Sequence, residues 1–177
     1  MSRIRYYEYE NGIVHDSVGI PNVWDIPKDA YGIHECLNGS KNLKVSYVSF
    51  LSDDAITLDT EKSSSNVFVV LRGSGRTDMH FEWSEGDVFV IPSIKTVHYF
   101  NEDTVLFWVS DCPLMKYVGA AMLIPRFVPL VYTKKSMMDA MQRLADENNN
   151  RNGITLGCDI TEKEGTKSIT HTMWALY

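Results

Sequence analysis

The chain has 177 residues, enough for one barrel-sized domain with extensions and short for two full domains. Its hydrophobic content of 44% suits a globular protein, and its net charge of −6 gives no electrostatic help toward a phosphate backbone, so nucleic acid is not an expected partner. No window approaches about 18 continuous apolar residues, and MSRIRYYEYENG has no signal-like apolar run, so the chain is expected to be cytoplasmic with no membrane partner. Cys36, Cys112 and Cys158 are widely spaced, odd in number and without a C-x-x-C pair, which reads as free thiols.

Residues 1–42 are rich in turn formers (NGIVHD, GIPNVWDIP, LNGSKN) and read as an extension packed on the barrel, with Trp24 and Tyr31 plugging one end of the core. Residues 43–118 form the barrel itself. KVSYVSFL (44–51) alternates apolar and polar residues as a half-buried strand does. SSSNVFVVLRG, HFEW, DVFVIP, VHYF and TVLFWVSD follow as further strands, separated by turns at GSGRTDM, SEG, SIKT and NED. β-Branched and aromatic residues dominate every run, and such short strands with close turns predict an all-β fold of the jelly-roll kind.

Residues 119–177 read as a linker-like arm. The apolar stretch AAMLIPRFVPLV (120–131) is interrupted by Pro125, Arg126 and Pro129 and reads as a core-packing connection. Helical period then takes over at about 135–148, where Met137, Met141 and Leu144 share a stripe and Ser136 with Asp139 forms a weak capping pair. Residues 154–160 and 168–177 return to strand composition.

The motifs RGSGR (72–76), FEWSEGDVFVIPS (81–93) and VLFWVSDCP (105–113) resemble the cupin superfamily, and within it the gentisate 1,2-dioxygenase-like group of two-barrel proteins. The resemblance implies a single double-stranded β-helix barrel here, with 119–177 similar to the segment joining two barrels. It also implies a divalent metal held by an H-x-H pair in the first motif and a third histidine in the second, since imidazoles suit iron and leave open positions for substrate and dioxygen.

This sequence departs from that pattern at every ligand position. Counting back from Gly73 places the H-x-H positions at Thr60 and Lys62, and counting forward from Pro92 places the third at Val97. His98 stands one residue late, and strand alternation turns it away from the interior on that register. Thr60, Lys62 and Val97 are therefore expected to line the pocket as vacated metal positions. His98, Arg72 and Trp108 remain as candidate ligand-binding residues. Asp53, Asp54, Asp59 and Glu61 read as a solvated acidic loop rather than oxygen ligands.

The expected function is a metal-free, degenerate cupin module with no catalytic residues and no cofactor. It would bind a small aromatic or carboxylated ligand or serve as a structural and oligomerisation unit, with a homodimer expected. The alternative is an Fe(II)-dependent ring-cleaving dioxygenase of the gentisate or salicylate type whose active barrel is absent from this chain.

Overall fold

The computed structural model describes residues 42–147, apart from 59, 61 and 126, together with three strand segments, Ile4–Glu8, Ile13–Ser17 and Gly32–Glu35. The expected strands over 154–160 and 168–177, Trp24, Tyr31, Cys36, Cys158 and His171 lie outside the described residues, as do the side chains of His15 and His34.

Among the described residues there are three antiparallel sheets. β1 (Ile4–Glu8) and β2 (Ile13–Ser17) pair with each other. The barrel is built from the other two. Its larger sheet has six strands, in the order β12-β9-β6-β11-β4-β3. These are β3 (Gly32–Glu35), β4 (Lys44–Phe50), β6 (Ser65–Arg72), β9 (Val88–Pro92), β11 (Thr104–Ser110) and β12 (Leu130–Tyr132). Its smaller sheet runs β5-β10-β7-β8, from β5 (Ala55–Leu58), β7 (Ser74–Thr77), β8 (Glu82–Ser84) and β10 (Thr96–Phe100). Two antiparallel sheets joined by crossing connections make the expected all-β jelly roll. A short helix α1 (Cys112–Tyr117) and the longer α2 (Lys134–Glu147) follow the barrel.

Alternation along the strands decides what lies inside. Val48 and Phe50 on β4, Phe68 and Val70 on β6, Phe89 and Ile91 on β9, and Leu106 and Trp108 on β11 face the smaller sheet. Leu58, Trp83 and Phe100 meet them from that sheet. The rings interlock: Phe68 stacks on Phe89 at 4.8 Å and on Trp108 at 5.5 Å, while Phe50 stacks on Phe100 at 5.0 Å. Burying side chains of this size contributes on the order of 1.5–3 kcal/mol apiece, so this core dominates the stability of the barrel.

A second apolar layer covers the outer face of the large sheet. Val67, Val88 and Val90 pack there against Tyr132 and Met137, so β12 and the start of α2 are held to the barrel. Of the expected stripe Met137 is buried, and Met138 beside it is 60% exposed. The rest of 120–131 does not bear out a core-packing connection: Leu123 is 94%, Ile124 70% and Val128 76% exposed. Pro125 and Pro129 lack the backbone donor that sheet pairing requires, and the chain joins β9 only from Leu130.

Two sites fix the turns. Gly75 on β7 lies so close to its neighbours that a Cβ there would sit 2.3 Å from the Tyr99 carbonyl and 2.4 Å from the Trp83 ring. The stretch expected to be a turn, GSGRTDM, therefore contains a strand, because glycine lets it pass beneath the indole. Asp87 secures the following turn and the distant helix together. One carboxylate oxygen accepts from Ser84 N at 2.9 Å and Ser84 Oγ at 3.1 Å, and the other accepts from Lys134 N at 2.7 Å. Thr133, rather than Ser136 with Asp139, caps α2, its hydroxyl accepting from Ser136 N at 3.2 Å. Asp87→Ala removes a carboxylate from a helix start and leaves buried donors unpaired, so it is expected to cost about 1–3 kcal/mol in urea unfolding.

Candidate functional site

β10 carries the residues that matter most for function. Thr96, His98 and Phe100 point inward and are fully or nearly fully buried, while Val97 and Tyr99 are half-buried on the other face. This reverses the expectation for Val97 and His98. The reason lies before the strand. Ile94 N donates to the Pro92 carbonyl at 2.7 Å, so Ser93–Lys95 closes tightly and absorbs the additional residue, and β10 starts in the opposite phase.

His98 sits in the middle of the aromatic core, 0% exposed, with its ring 5.4 Å from Phe68 and 5.9 Å from Phe89. Its cross-strand neighbours are Ile56 and Thr77. Both ring nitrogens are buried without a hydrogen-bond partner. Burial pushes the imidazole down to about 4, the Asp78 carboxylate partly opposing that effect. His98 is consequently a neutral imidazole at neutral pH.

The other candidate positions do not converge on it as a metal site would. Thr60 is fully buried, and its hydroxyl donates to the Ile94 carbonyl, which ties the connection entering β6 to the turn before β10. Lys62 is exposed and does not line a pocket, and Val97 faces away from the interior. Both depart from their expected placement. Arg72 is half-buried. A register shift between Val105 and Leu106 makes Arg72 the partner of Val105, on the opposite face from Leu106. The bulge thus puts Arg72 on the Val105 side of the strand, where its Nε is buried without a hydrogen-bond partner among the described residues. Trp108 is buried, and its indole N–H donates to Asn66 Oδ1 at 3.1 Å.

Sequence patterns gave little sign of the polar network around Asn66 and Asp111. Asn66 Nδ2 donates to Ser63 Oγ at 2.6 Å and to the Thr60 carbonyl at 3.3 Å. The buried Asp111 carboxylate accepts from Ser64 N at 2.7 Å, Ser65 N at 3.3 Å and the Ser64 hydroxyl. These contacts bind the loop after Thr60 to the end of β11. The only legible hint was SSSN beside a strand, since serine and asparagine satisfy backbone locally. His80 and Asp53 are exposed turn residues with positive φ, and the Asp54 carboxylate accepts from Leu51 N at 3.2 Å, all consistent with a solvated loop.

The donor set does not fit Fe(II). A metal needs several deprotonated ligands around one point, and among the described residues no three of His, Cys, Asp or Glu converge. At the positions where the resemblance places ligands stand a hydroxyl engaged with a carbonyl, an exposed ammonium and an outward valine. Among the described residues the one inward imidazole, that of His98, is surrounded by phenyl rings.

A 62-residue segment is 36% identical to 5-aminosalicylate 1,2-dioxygenase from Comamonas sp, covering 32% of this chain and 17% of the dioxygenase. Over that segment the chain is similar to the dioxygenase, and its two antiparallel barrel sheets form a jelly-roll sandwich of the cupin kind. The match thus spans less than a fifth of the dioxygenase's length. No family model matches the chain. Salicylate 1,2-dioxygenase from Pseudaminobacter salicylatoxidans superposes with a TM-score of 0.38 at 19% identity, over 54% of this chain and 26% of that one. The Cnp3 cupin domain of Schizosaccharomyces pombe gives 0.48 at 12% identity, over 69% and 96%.

Proposed function

We propose that this chain is a metal-free cupin module whose barrel works as a packing and interaction scaffold rather than as a catalytic vessel. The observation that carries this reading is the interior itself. Aromatic rings from both sheets stack around His98, and the positions that would hold iron carry Thr60, Lys62 and Val97 instead. A small aromatic or carboxylated ligand filling the barrel would have to displace that stack, which favours the structural role over the ligand-binding one. The exposed run of Leu123, Ile124 and Val128 supports self-association, in keeping with a homodimer.

A second reading is motivated by the 62-residue match to a ring-cleaving dioxygenase. In it, Fe(II)-dependent cleavage of a hydroxybenzoate takes place in another barrel, and this one supports it. Dioxygen uptake separates that chemistry from this chain. The purified protein, supplied with Fe(II) and salicylate, gentisate or 5-aminosalicylate, is expected to consume no dioxygen above a protein-free control. Turnover by this chain alone, lost in His98→Phe, would overturn the scaffold reading.

A further inference from the structure

The connection from α1 to β12 leaves the barrel and returns to it. Gly119 N and Ala120 N close α1 by donating to the Lys116 carbonyl at 3.3 Å and the Met115 carbonyl at 2.9 Å. Met115 is buried at one end of this excursion, and the chain rejoins the large sheet only at Leu130, opposite Val90. Between them Tyr117 is 77% and Val118 56% exposed, and the exposed Leu123, Ile124 and Val128 follow. Five large apolar side chains in water on one connection need a reason, because exposed apolar residues are ordinarily scattered singly.

The charge along the same stretch has the opposite sign to that of the chain. The whole chain carries −6, yet no aspartate or glutamate lies between Asp111 and Asp139, and Lys116, Arg126, Lys134 and Lys135 all fall in that interval. Lys116 precedes the apolar run and Lys134 follows β12, both exposed, while Lys135 is paired with Asp139 at 2.6 Å. An occupant must therefore cover apolar side chains and answer positive charge. A nucleic acid answers only the charge. A second copy covers the apolar side chains but sets its own cations against these. An anionic lipid surface does both, taking apolar side chains into the boundary between headgroups and acyl chains while the headgroups attract lysine and arginine.

We propose that the 117–128 connection is a peripheral docking loop for an anionic lipid surface, with Leu123 and Ile124 entering it and Lys116 and Lys134 meeting the headgroups. A fluid interface imposes no fixed shape, so a connection without strand or helix suits it. Among the described residues no helix is long and apolar enough to cross a membrane, so the contact is a surface one. Such a contact needs neither a spanning segment nor a signal-like run, the two features whose absence argued against a membrane partner. The docking role goes beyond the scaffold role and does not rest on it, since the loop lies outside the barrel.

Co-sedimentation of the intact chain with lipid vesicles tests it. Vesicles of equal parts phosphatidylserine and phosphatidylcholine are expected to bind at least about tenfold more tightly than phosphatidylcholine alone, with affinity falling as salt is raised. Leu123→Asp combined with Ile124→Asp is expected to abolish binding while leaving the thermal unfolding midpoint unchanged, both side chains being exposed. Lys116→Glu combined with Lys134→Gln is expected to remove the preference for the anionic vesicles. No co-sedimentation with anionic vesicles, or equal binding to the two kinds, would overturn the docking role. So would a native dimer that binds no vesicles and becomes monomeric in the Leu123→Asp, Ile124→Asp variant, which would assign the run to a second copy. Dioxygen uptake is indifferent to all of these results, so failure of the docking role and failure of the scaffold reading are told apart.

Discussion

Acidification from pH 6.5 to pH 4 is expected to remove about 3 kcal/mol of folding stability through His98 alone. The unfolded chain binds this proton with the ordinary affinity of 6.5, whereas the folded barrel binds it only near 4. Between those values the unfolded state holds more protons, so stability rises with pH across the window and falls as acid is added. Above 6.5 the imidazole is neutral in both states and the contribution is flat. Below 4 it is charged in both, and the loss is complete. The physical cause is the phenyl cage: an imidazolium between Phe68 and Phe89 surrenders its hydration, and the Asp78 carboxylate offsets that loss only in part. Urea midpoints at several pH values measure the effect. His98→Leu, which cannot titrate, is expected to lose less stability over this window by that amount. Parallel pH curves for the two proteins would show that His98 is not caged.

The second large effect is steric rather than electrostatic. Phe89→Ala is expected to cost about 3–5 kcal/mol, a large share of the stability of an ordinary domain. Phe89 is 0% exposed and touches four other rings: Phe68 at 4.8 Å, Trp83 at 5.6 Å, Phe81 at 5.8 Å and His98 at 5.9 Å. These neighbours come from β6, β8, β10 and the approach to β8, so no single element can collapse into the void. The loss therefore includes most of the cavity penalty as well as the lost transfer energy. Val97→Ala, one residue from His98 but on the outer face, is expected to cost under about 1.5 kcal/mol. Equal losses at the two positions would mean that the inward and outward faces of β10 have been exchanged.

The barrel was legible because period-two alternation over DVFVIP and TVLFWVSD survives the loss of any binding site. Side chains that fill the interior obey the same pattern as side chains that line a cavity. The SEG turn was legible for the same reason, since Gly86 at φ 88° takes a conformation that few other residues adopt. The site was less legible. A gap-free count from Pro92 gives the ligand position to Val97, yet the residue that shifts the count sits in the Ser93–Lys95 turn, where length varies without disturbing either strand. Arg72 was unreadable for a parallel cause: alternation from Phe68 and Val70 puts it on their face, and a bulge opposite Val105 shifts it to the other. Neither a turn closure nor a bulge leaves a compositional mark. The N-cap at Thr133 and the support of this helix start by Asp87 were missed because Asp87 and Lys134, whose backbone N–H it accepts from, are 47 residues apart in sequence but adjacent in space.

The absence of a metal grip inside these walls is tested most directly by metal retention. The protein is expected to retain far less than one equivalent of iron, manganese or zinc after loading with each ion and passage over a chelating resin, with no difference between the native chain and His98→Phe. One tightly held equivalent that disappears in His98→Phe would contradict the proposal that this barrel has exchanged its ligand set for a packed core.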